Sequence, residues 1–502
     1  MAILLGLDIG TTGCKATLFD GSGSLIAKAA REYDIDFPYP GWAEQDGEKV
    51  WQLAQNCIRQ VLADSKQSTV AAIGLSVQGE AVMPVDKTGR ALRPAILGMD
   101  TRTKEQNDWL VDKFGARFLF DHTGMPVHTI NTLPKMLWLR QNEPKLWRQA
   151  WKFLLYEDFL INKMTGNPVI SRCLASRTQL YNLNEDRWSD EILAALNLVP
   201  GRLAIVQPSG FPAGTMHADL ATELGFAKPP LVTTGGHDQA CGALGVGLIQ
   251  PGLAVVSSGT AEVVEVAMRS PAINETLYKG NISIYAHTVS GLYVSMTLNH
   301  SGGLLLRWFR DQFCQSEVEQ AGRSGDDAYD LLLKNATNGP TRILVLPHFS
   351  GSGTPTFDTQ SKGAILGLTF ATGKADLAKA ILEGLTFELR INLDLLKQGG
   401  IEIKELRAIG GGAKSDLWLQ LKADITGIPV LKPRVTEAAS WGAAILGGVG
   451  AGVYANPAEA VQATLKFERE FYPNPHSQAG YEKLYEQYRQ IYPAIAEINH
   501  NL

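Results

Sequence analysis

At 502 residues the chain is too long for one ordinary core and suggests two large domains or three smaller ones. Its 46 Lys plus Arg against 51 Asp plus Glu give a net charge of -5 with no long basic block, which argues against a nucleic-acid partner. The five cysteines are scattered and never spaced as Cys-x-x-Cys, the opening residues lack a leader's basic flank, and no apolar run is long enough for a bilayer, so a soluble, reduced, cytoplasmic protein is expected, with no disulfide framework, zinc site or membrane partner.

Residues 3–8 form an apolar run that predicts a strand, Gly10-Thr11-Thr12-Gly13 a tight turn, 16–19 a returning strand and Asp20-Gly21-Ser22-Gly23 a second turn. A helix is expected over 48–63, a strand over 70–76, a turn at Asp86-Lys87-Thr88-Gly89, a short strand at 95–97, a helix carrying Trp138 and Leu139 that ends before Pro144, and a strand at 231–234 leading into a glycine- and alanine-rich helix over 240–247. The alternation is that of an α/β fold. Near residue 250 it restarts: a strand over 252–257, a small-residue turn at Ser257-Ser258-Gly259-Thr260 and a returning strand over 261–267. A duplication would look like this, and it places the boundary between a first unit, 1–247, and a second, 248–502. Further on, Leu377, Ile381, Leu385 and Leu389 predict a long amphipathic helix over 374–396 stopped at Gly399-Gly400. A strand over 406–409 then meets Gly410-Gly411-Gly412-Ala413, followed by a helix over 414–425, a strand over 429–431 and a small-residue helix over 438–447.

Three stretches carry chemistry. In Asp8-Ile9-Gly10-Thr11-Thr12-Gly13 the glycines let backbone N–H groups approach an anion, threonine hydroxyls add donors, and a carboxylate at the strand end can hold magnesium; an ordinary hairpin turn is the plain alternative. In Gly235-Gly236-His237-Asp238-Gln239 a carboxylate follows a glycine hinge at the end of a buried strand, where α/β proteins place their chemistry, although Asp238 could be only a helix cap. In Gly410-Gly411-Gly412 the missing side chains leave room for an adenine ring or phosphates, or simply for close packing.

With these motifs in this order the chain resembles the FGGY carbohydrate kinases over nearly its whole length. Asp8-Ile9-Gly10-Thr11-Thr12 is similar to the family's first phosphate motif, Ser258-Gly259-Thr260 to the second, and Ala408-Ile409-Gly410-Gly411-Gly412-Ala413-Lys414-Ser415 to the adenosine motif. Pro134-Lys135-Met136-Leu137-Trp138-Leu139 and the stretch from Gly363 to Glu383 match the family's signatures. The resemblance implies two ribonuclease H-like α/β domains flanking a deep cleft, as in the sugar kinase, actin and heat-shock ATPase superfamily. It implies ATP and Mg2+ as cofactors, a small sugar as the partner, and a homodimer as an assembly left open. By the same resemblance Asp238 is the catalytic base; Trp42, Gln78, Gly79, Glu80, Asp100, Arg102, Asp238 and Gln239 bind the sugar; Asp8 holds the metal; and Gly10, Thr11, Thr12, Lys15, Gly259, Thr260, Gly303, Gly411, Gly412, Ala413 and Ser415 bind the nucleotide. Glycerol kinases carry an arginine at the place of Gly79, and xylulose kinases a histidine near Glu80, whereas Asn131-Thr132-Leu133 and His237-Asp238 look like fuculose kinases. D-xylulose, phosphorylated to D-xylulose 5-phosphate, is the expected substrate, with L-fuculose, L-xylulose, ribulose or a sugar alcohol as alternatives. An ATP-driven interaction protein of the actin type is the rival class.

Overall fold

The computed structural model describes residues 2–502; Met1, from which the first unit is counted, lies outside the described residues. Strand β1 (Ile3–Ile9) is apolar on both faces, the pattern of a central strand covered on both sides. It turns back into β2 (Gly13–Asp20) and then β3 (Leu25–Glu32), each pair antiparallel. Helix α1 (Gly47–Ser65), capped by Asp46 and burying Val50, Ala54, Cys57, Ile58 and Val61, returns the chain to β4 (Ala72–Val77), parallel to β1. The sheet is completed by β5 (Pro212–Thr215), β6 (Leu231–Thr233) and the short β7 (Gly236–His237), which pairs with β4. Its order is β5-β6-β4-β1-β2-β3.

The second half builds β8 (Gly252–Ser258), β9 (Glu262–Met268), β10 (Ser283–Ala286), β11 (Tyr293–Asn299), β12 (Ile403–Ile409), β13 (Val430–Pro433) and β14 (Phe467–Phe471) into another seven-stranded sheet, in the order β10-β11-β9-β8-β12-β13-β14. The two sheets share one scheme. In each, the opening strand is antiparallel to the next and parallel to a later one (β1 to β4, β8 to β12), a further parallel strand follows (β6, β13), and an antiparallel strand closes that side (β5, β14). The weak likeness of the two opening turns is therefore matched by the full strand pattern.

Two small-residue helices cross between the halves. Helix α2 (Asp238–Gly245) follows β7, and Ala243 with the succeeding Val246 and Leu248 shares a core with Leu253, Val255 and Ala267 of the second sheet. Helix α3 (Ala438–Gly450) makes the reverse crossing, packing Trp441, Ala444 and Ile445 on Leu4, Phe19 and Ala72 of the first sheet. Its backbone lies so close that a Cβ built at Gly6 or Gly74 would stand 1.8 Å from the carbonyl oxygen of Ser440 or Ala443, which explains the glycines inside two central strands. The amphipathic helix predicted over 374–396 spans Lys374–Gln398, with Ile381, Leu385 and Leu389 in the core. The helix with Trp138 covers Thr132–Asn142, and a second helix starts at Pro144.

Strand β3 was not expected, because only Ala29 of its eight residues is buried and Lys28, Arg31 and Glu32 break the alternation. The helices at Lys104–Phe114, Ala116–Thr123 and Gly303–Phe313 were likewise not anticipated. Among the described residues no helix is long and apolar enough to cross a membrane, and all five cysteines are free and buried.

Candidate active site

The turn after β1 is pinned through its carbonyls. Gly10 donates its N–H to the Gly13 carbonyl (2.9 Å), while the Gly10 carbonyl accepts from the Tyr33 hydroxyl (2.6 Å), that of Thr11 from Gln45 Nε2 (2.9 Å) and that of Thr12 from the Tyr33 N–H (3.1 Å). With the carbonyls held inward, the amide side of the turn is the side left for an anion. Asp8 accepts from the Ser76 hydroxyl at 2.7 Å, across the parallel β1–β4 pair. Burial pushes its carboxyl above the usual range, with Ser76 and Lys15 opposing the shift. Lys15, expected at the phosphates, instead places Nζ 2.5 Å from Glu437, which also takes Lys28 at 2.9 Å. Its charge is engaged by an acid at the start of α3, because β2 runs beneath that helix.

Asp238 is positioned by a chain of buried contacts. Glu157, on the helix Tyr156–Thr165, accepts the Gly235 N–H at 2.6 Å and the Ser171 N–H at 2.7 Å, and burial pushes its pKa up to about 7. Gly236 and His237 then pair with Ser76 and Val77 of β4, so the chain enters α2 with Asp238 beside the end of the strand next to Asp8. The Gln239 N–H donates to Asp238 Oδ1 at 2.7 Å, and His237 Nε2 lies 3.2 Å from the same oxygen. Burial first, then the charge of Asp8, and more weakly Glu80 and Glu265, push the Asp238 pKa up to about 7, although its side chain keeps 28% of its surface open. His237 is held well below its ordinary value by burial and Arg177, so it faces Asp238 as a neutral imidazole. A carboxylate of this pKa beside a reachable opening can take a proton from a hydroxyl near neutral pH.

Gln78 and Glu80 follow directly from β4. Gln78 Nε2 donates to Gln45 Oε1 (2.9 Å) and the Gly10 carbonyl (3.3 Å), and the Tyr156 hydroxyl also donates to Gln45 Oε1 (2.6 Å), so this polar layer is joined to the phosphate turn. Glu80 is buried and its carboxylate is paired with Arg177. Trp42 is half-buried, its ring 5.2 Å from that of Trp138, with the Arg102 guanidinium 3.6 Å above it. Asp100 and Arg102 were expected to face the sugar. They are instead fully buried and bonded to each other; Asp100 also accepts the Ala43 N–H (2.7 Å) and Arg102 lies 2.8 Å from Glu44. The arrangement is the internal salt bridge that is the alternative to a sugar contact: the two groups pair with one another and hold the backbone of the Trp42 loop, so they support that loop.

On the second half, Gly259 and Thr260 are exposed at the turn between β8 and β9. The Gly259 N–H donates to the Ala261 carbonyl (2.9 Å) and its carbonyl accepts the Gly303 N–H (2.7 Å), which ties the turn to the start of the helix Gly303–Phe313. Beneath it Ser258 donates to Glu262 (2.6 Å), and Glu262 pairs with the buried Lys422. Gly411 is exposed, Gly412 lies against the Trp418 ring, and Ala413 is buried. The helix expected from 414 begins at Asp416: Gly411–Lys414 forms a single 3-10 turn, and Ser415 caps the helix by accepting the Trp418 N–H (3.3 Å).

The structure thus joins Asp8, the 10–13 turn, Gln78, Glu80 and Asp238 at the ends of the first sheet's parallel strands, and Gly259, Thr260, Gly303 and Gly411–Ala413 at the ends of the second's. Sequence reasoning missed Ser76, Tyr156, Glu157, Arg177 and Glu437. None sits in a glycine motif, and each acts through a partner more than 60 residues away, or, for Glu157, through a backbone N–H.

Among the described residues no three or more His, Cys, Asp or Glu side chains gather into a protein-only metal cage. The donors present fit Mg2+ all the same, since that ion commonly takes one or two carboxylates and completes its shell with water and phosphate oxygens, and Asp8 is a half-buried carboxylate, its pKa raised by desolvation, that a dication would stabilise.

Family models agree with this geometry. The N-terminal domain of the FGGY family of carbohydrate kinases matches residues 3–245, and its C-terminal domain matches residues 254–451. The chain is 32% identical to a xylulose kinase of Lactococcus lactis, over 100% of this chain and 99% of that one, and 28% identical to a gluconokinase of Bacillus subtilis, over 88% and 86%. It superposes on the crystal structure of a "xyloylose kinase" from Brucella ovis with a TM-score of 0.89 at 29% identity, covering 99% of this chain and 100% of that one. Two α/β units of one strand scheme, carboxylates at the ends of one sheet and glycine turns at the ends of the other, together with these matches, establish that the chain belongs to the FGGY family of carbohydrate kinases, enzymes that transfer a phosphoryl group from ATP to a sugar hydroxyl.

Proposed function

We propose that this kinase acts on a ketose, D-xylulose before the others, and forms D-xylulose 5-phosphate. The observation that carries the proposal is Asp238, an open-sided carboxylate with a pKa pushed up to about 7, set beside Asp8 at the head of the first sheet. Asp238 accepts the proton of the sugar hydroxyl while that oxygen bonds to the γ-phosphorus of ATP and the bond to the β-phosphate oxygen breaks, releasing ADP; positioning does most of the work. Gln78, Glu80 and Gln239 bind sugar hydroxyls beside the Trp42 loop, which Asp100 and Arg102 hold from behind. Gly10, Thr11 and Thr12 meet the terminal phosphates, with Gly259, Thr260 and Gly303 opposite, and Gly411–Ser415 form the adenosine floor. Asp8 would hold Mg2+, which when bound neutralises charge on the phosphate oxygens. On this assignment residues 1–247 are the sugar half and 248–502 the nucleotide half, with α3 belonging structurally to the first sheet.

Xylulose kinases and a gluconokinase are both among the similar proteins, and electrostatics favours the former. Asp8, Glu80 and Glu265 each push the Asp238 pKa up, and an aldonate would bring a further negative charge beside it. A coupled ADP-release assay over D-xylulose, L-xylulose, ribulose, L-fuculose, a sugar alcohol, gluconate and glycerol tests this. Turnover of D-xylulose above the rest is expected; efficient use of gluconate or glycerol with none of the ketoses overturns the assignment.

A further inference from the structure

Arg177 stands where the two halves meet and has no part in the chemistry above. It lies in the short turn Ser176–Thr178, and only 2% of its side chain is exposed. Its Nε donates to Glu80 Oε1 at 2.6 Å and Nη2 pairs with the same oxygen. The rest of the guanidinium faces the second sheet: Nη1 is 3.6 Å from Met296 Sδ on β11, and Cζ is 4.6 Å from the ring centre of Tyr285 on β10, whose hydroxyl donates to Glu265 on β9. A cation over an aromatic face, with carboxylates on either side, is fixed in orientation.

Glu80 is itself held in an unfavourable backbone geometry. Its φ is +59°, the left-handed region that residues with a Cβ seldom adopt, and such strain persists where the surroundings enforce it. The enforcing contacts are the Thr132 hydroxyl (3.1 Å) and Lys135 Nζ (3.2 Å), both donating to the Glu80 carbonyl, and Arg177 on the carboxylate. Gly79 leaves the space this needs: a Cβ there would come within 2.8 Å of the His237 ring and 3.7 Å of Arg177 Nε. Without its cation a carboxylate buried to this degree would be left as an unpaired acceptor with nothing fixing its orientation.

We infer that Arg177 is the positioning residue of the sugar site: it holds the Glu80 carboxylate aimed at the substrate's hydroxyls, and because its remaining contacts belong to the second sheet, the sugar site is complete only with the nucleotide half in place. The inference rests on Glu80 being a sugar contact. The tests are steady-state kinetics of Arg177→Gln, Arg177→Lys, Glu80→Gln and the double variant, with the ketose turned over fastest among D-xylulose, L-xylulose, ribulose and L-fuculose. Arg177→Gln should raise KM for the ketose on the order of 10- to 100-fold, the range for a lost charged hydrogen bond, while KM for ATP moves less than about 3-fold. The double variant should bind the ketose no worse than Arg177→Gln alone. Arg177→Lys should recover part of the loss. Should Arg177→Gln fail to fold, Tyr285→Phe gives the second measurement, with a roughly 2- to 5-fold rise in ketose KM alone. Equal changes in both KM values, or strictly additive effects of the Arg177 and Glu80 substitutions, overturn the inference. Glu80→Gln without effect on the ketose KM overturns instead the assignment of Glu80 to the sugar.

Discussion

The two halves run the same strand scheme and end it with different side chains. The opening strand of the first sheet delivers Asp8 to the Gly10–Gly13 turn, and that of the second delivers Ser257 and Ser258 to the Gly259–Ala261 turn. The next parallel strand leads into Gln78 and Glu80 in one case and Gly410–Gly412 in the other. At the strand ends of the first half stand Asp8 and Asp238, carboxylates whose ionisation is opposed by burial, with Glu265 of the second sheet facing them, whereas the second half exposes glycine backbone at its own strand ends and keeps Glu262 and Lys422 paired in the interior. The fold supplies equivalent places, and the residues set in them give the two halves different characters, carboxylates at one set of strand ends and bare glycine backbone at the other.

The comparison breaks most visibly at Asp238. Asp238→Asn keeps size and most of the hydrogen bonding, so fold and ATP binding should survive while kcat falls ~10²–10⁴-fold, the usual loss for a positioned acid–base group. Retention of most of the wild-type kcat would remove Asp238 from the mechanism. Asp8→Ala comes next, with turnover down by about 10²-fold and the dependence on Mg2+ concentration shifted upward. An unchanged Mg2+ titration would make the first turn structural only. On the other half the same test is steric. A Cβ at Gly411 meets nothing within 4 Å in the protein itself, so Gly411→Ala should fold normally; its methyl group would point into the proposed nucleotide space and raise KM for ATP by about 10-fold without moving that of the sugar. Equal KM values for mutant and wild type would free Gly411 from the nucleotide site.

How much of this was legible from sequence follows from the range of the interactions involved. Strands β1, β4, β8 and β12 and the helix Lys374–Gln398 announce themselves because continuous apolar runs and four-residue spacing are local signals, and the glycine turns between them mark the heads of the strands. The reach of α3 back to the first sheet left only a faint trace, the glycines at 6 and 74. Asp100 and Arg102 were placed at the sugar because a charged pair after a strand looks the same whether its partners are hydroxyls or each other; only the Ala43 N–H and Glu44 distinguish the cases. Arg177 was invisible because its meaning lies in Glu80, 97 residues away, and in strands of the other half.

The smallest effect concerns the cost of the first half's charges. Asp238 carries a pKa near 7 in the folded protein against about 4 in an unfolded chain, so between these values the native state holds a proton that the unfolded state has released. Stability then falls as pH rises through that window, and the penalty is fully present above about pH 7. Activity runs the other way, since the base must be deprotonated: kcat/KM should drop as pH falls through about 7. The groups that raise the Asp238 pKa, Asp8, Glu80 and Glu265, are all acidic, His237 stays neutral, and the positive charge nearby, Arg177, is engaged by Glu80. In metal-free buffer Asp238→Asn should therefore melt above wild type at pH 8, by on the order of a few degrees, with a smaller advantage at pH 5.5. Adding Mg2+ should shrink the difference by supplying the missing charge. Differential scanning calorimetry at the two pH values decides it: an advantage of the same size at both would mean that the Asp238 carboxylate is no more burdened than a surface acid, and that the contrast between the two halves is one of shape and not of charge.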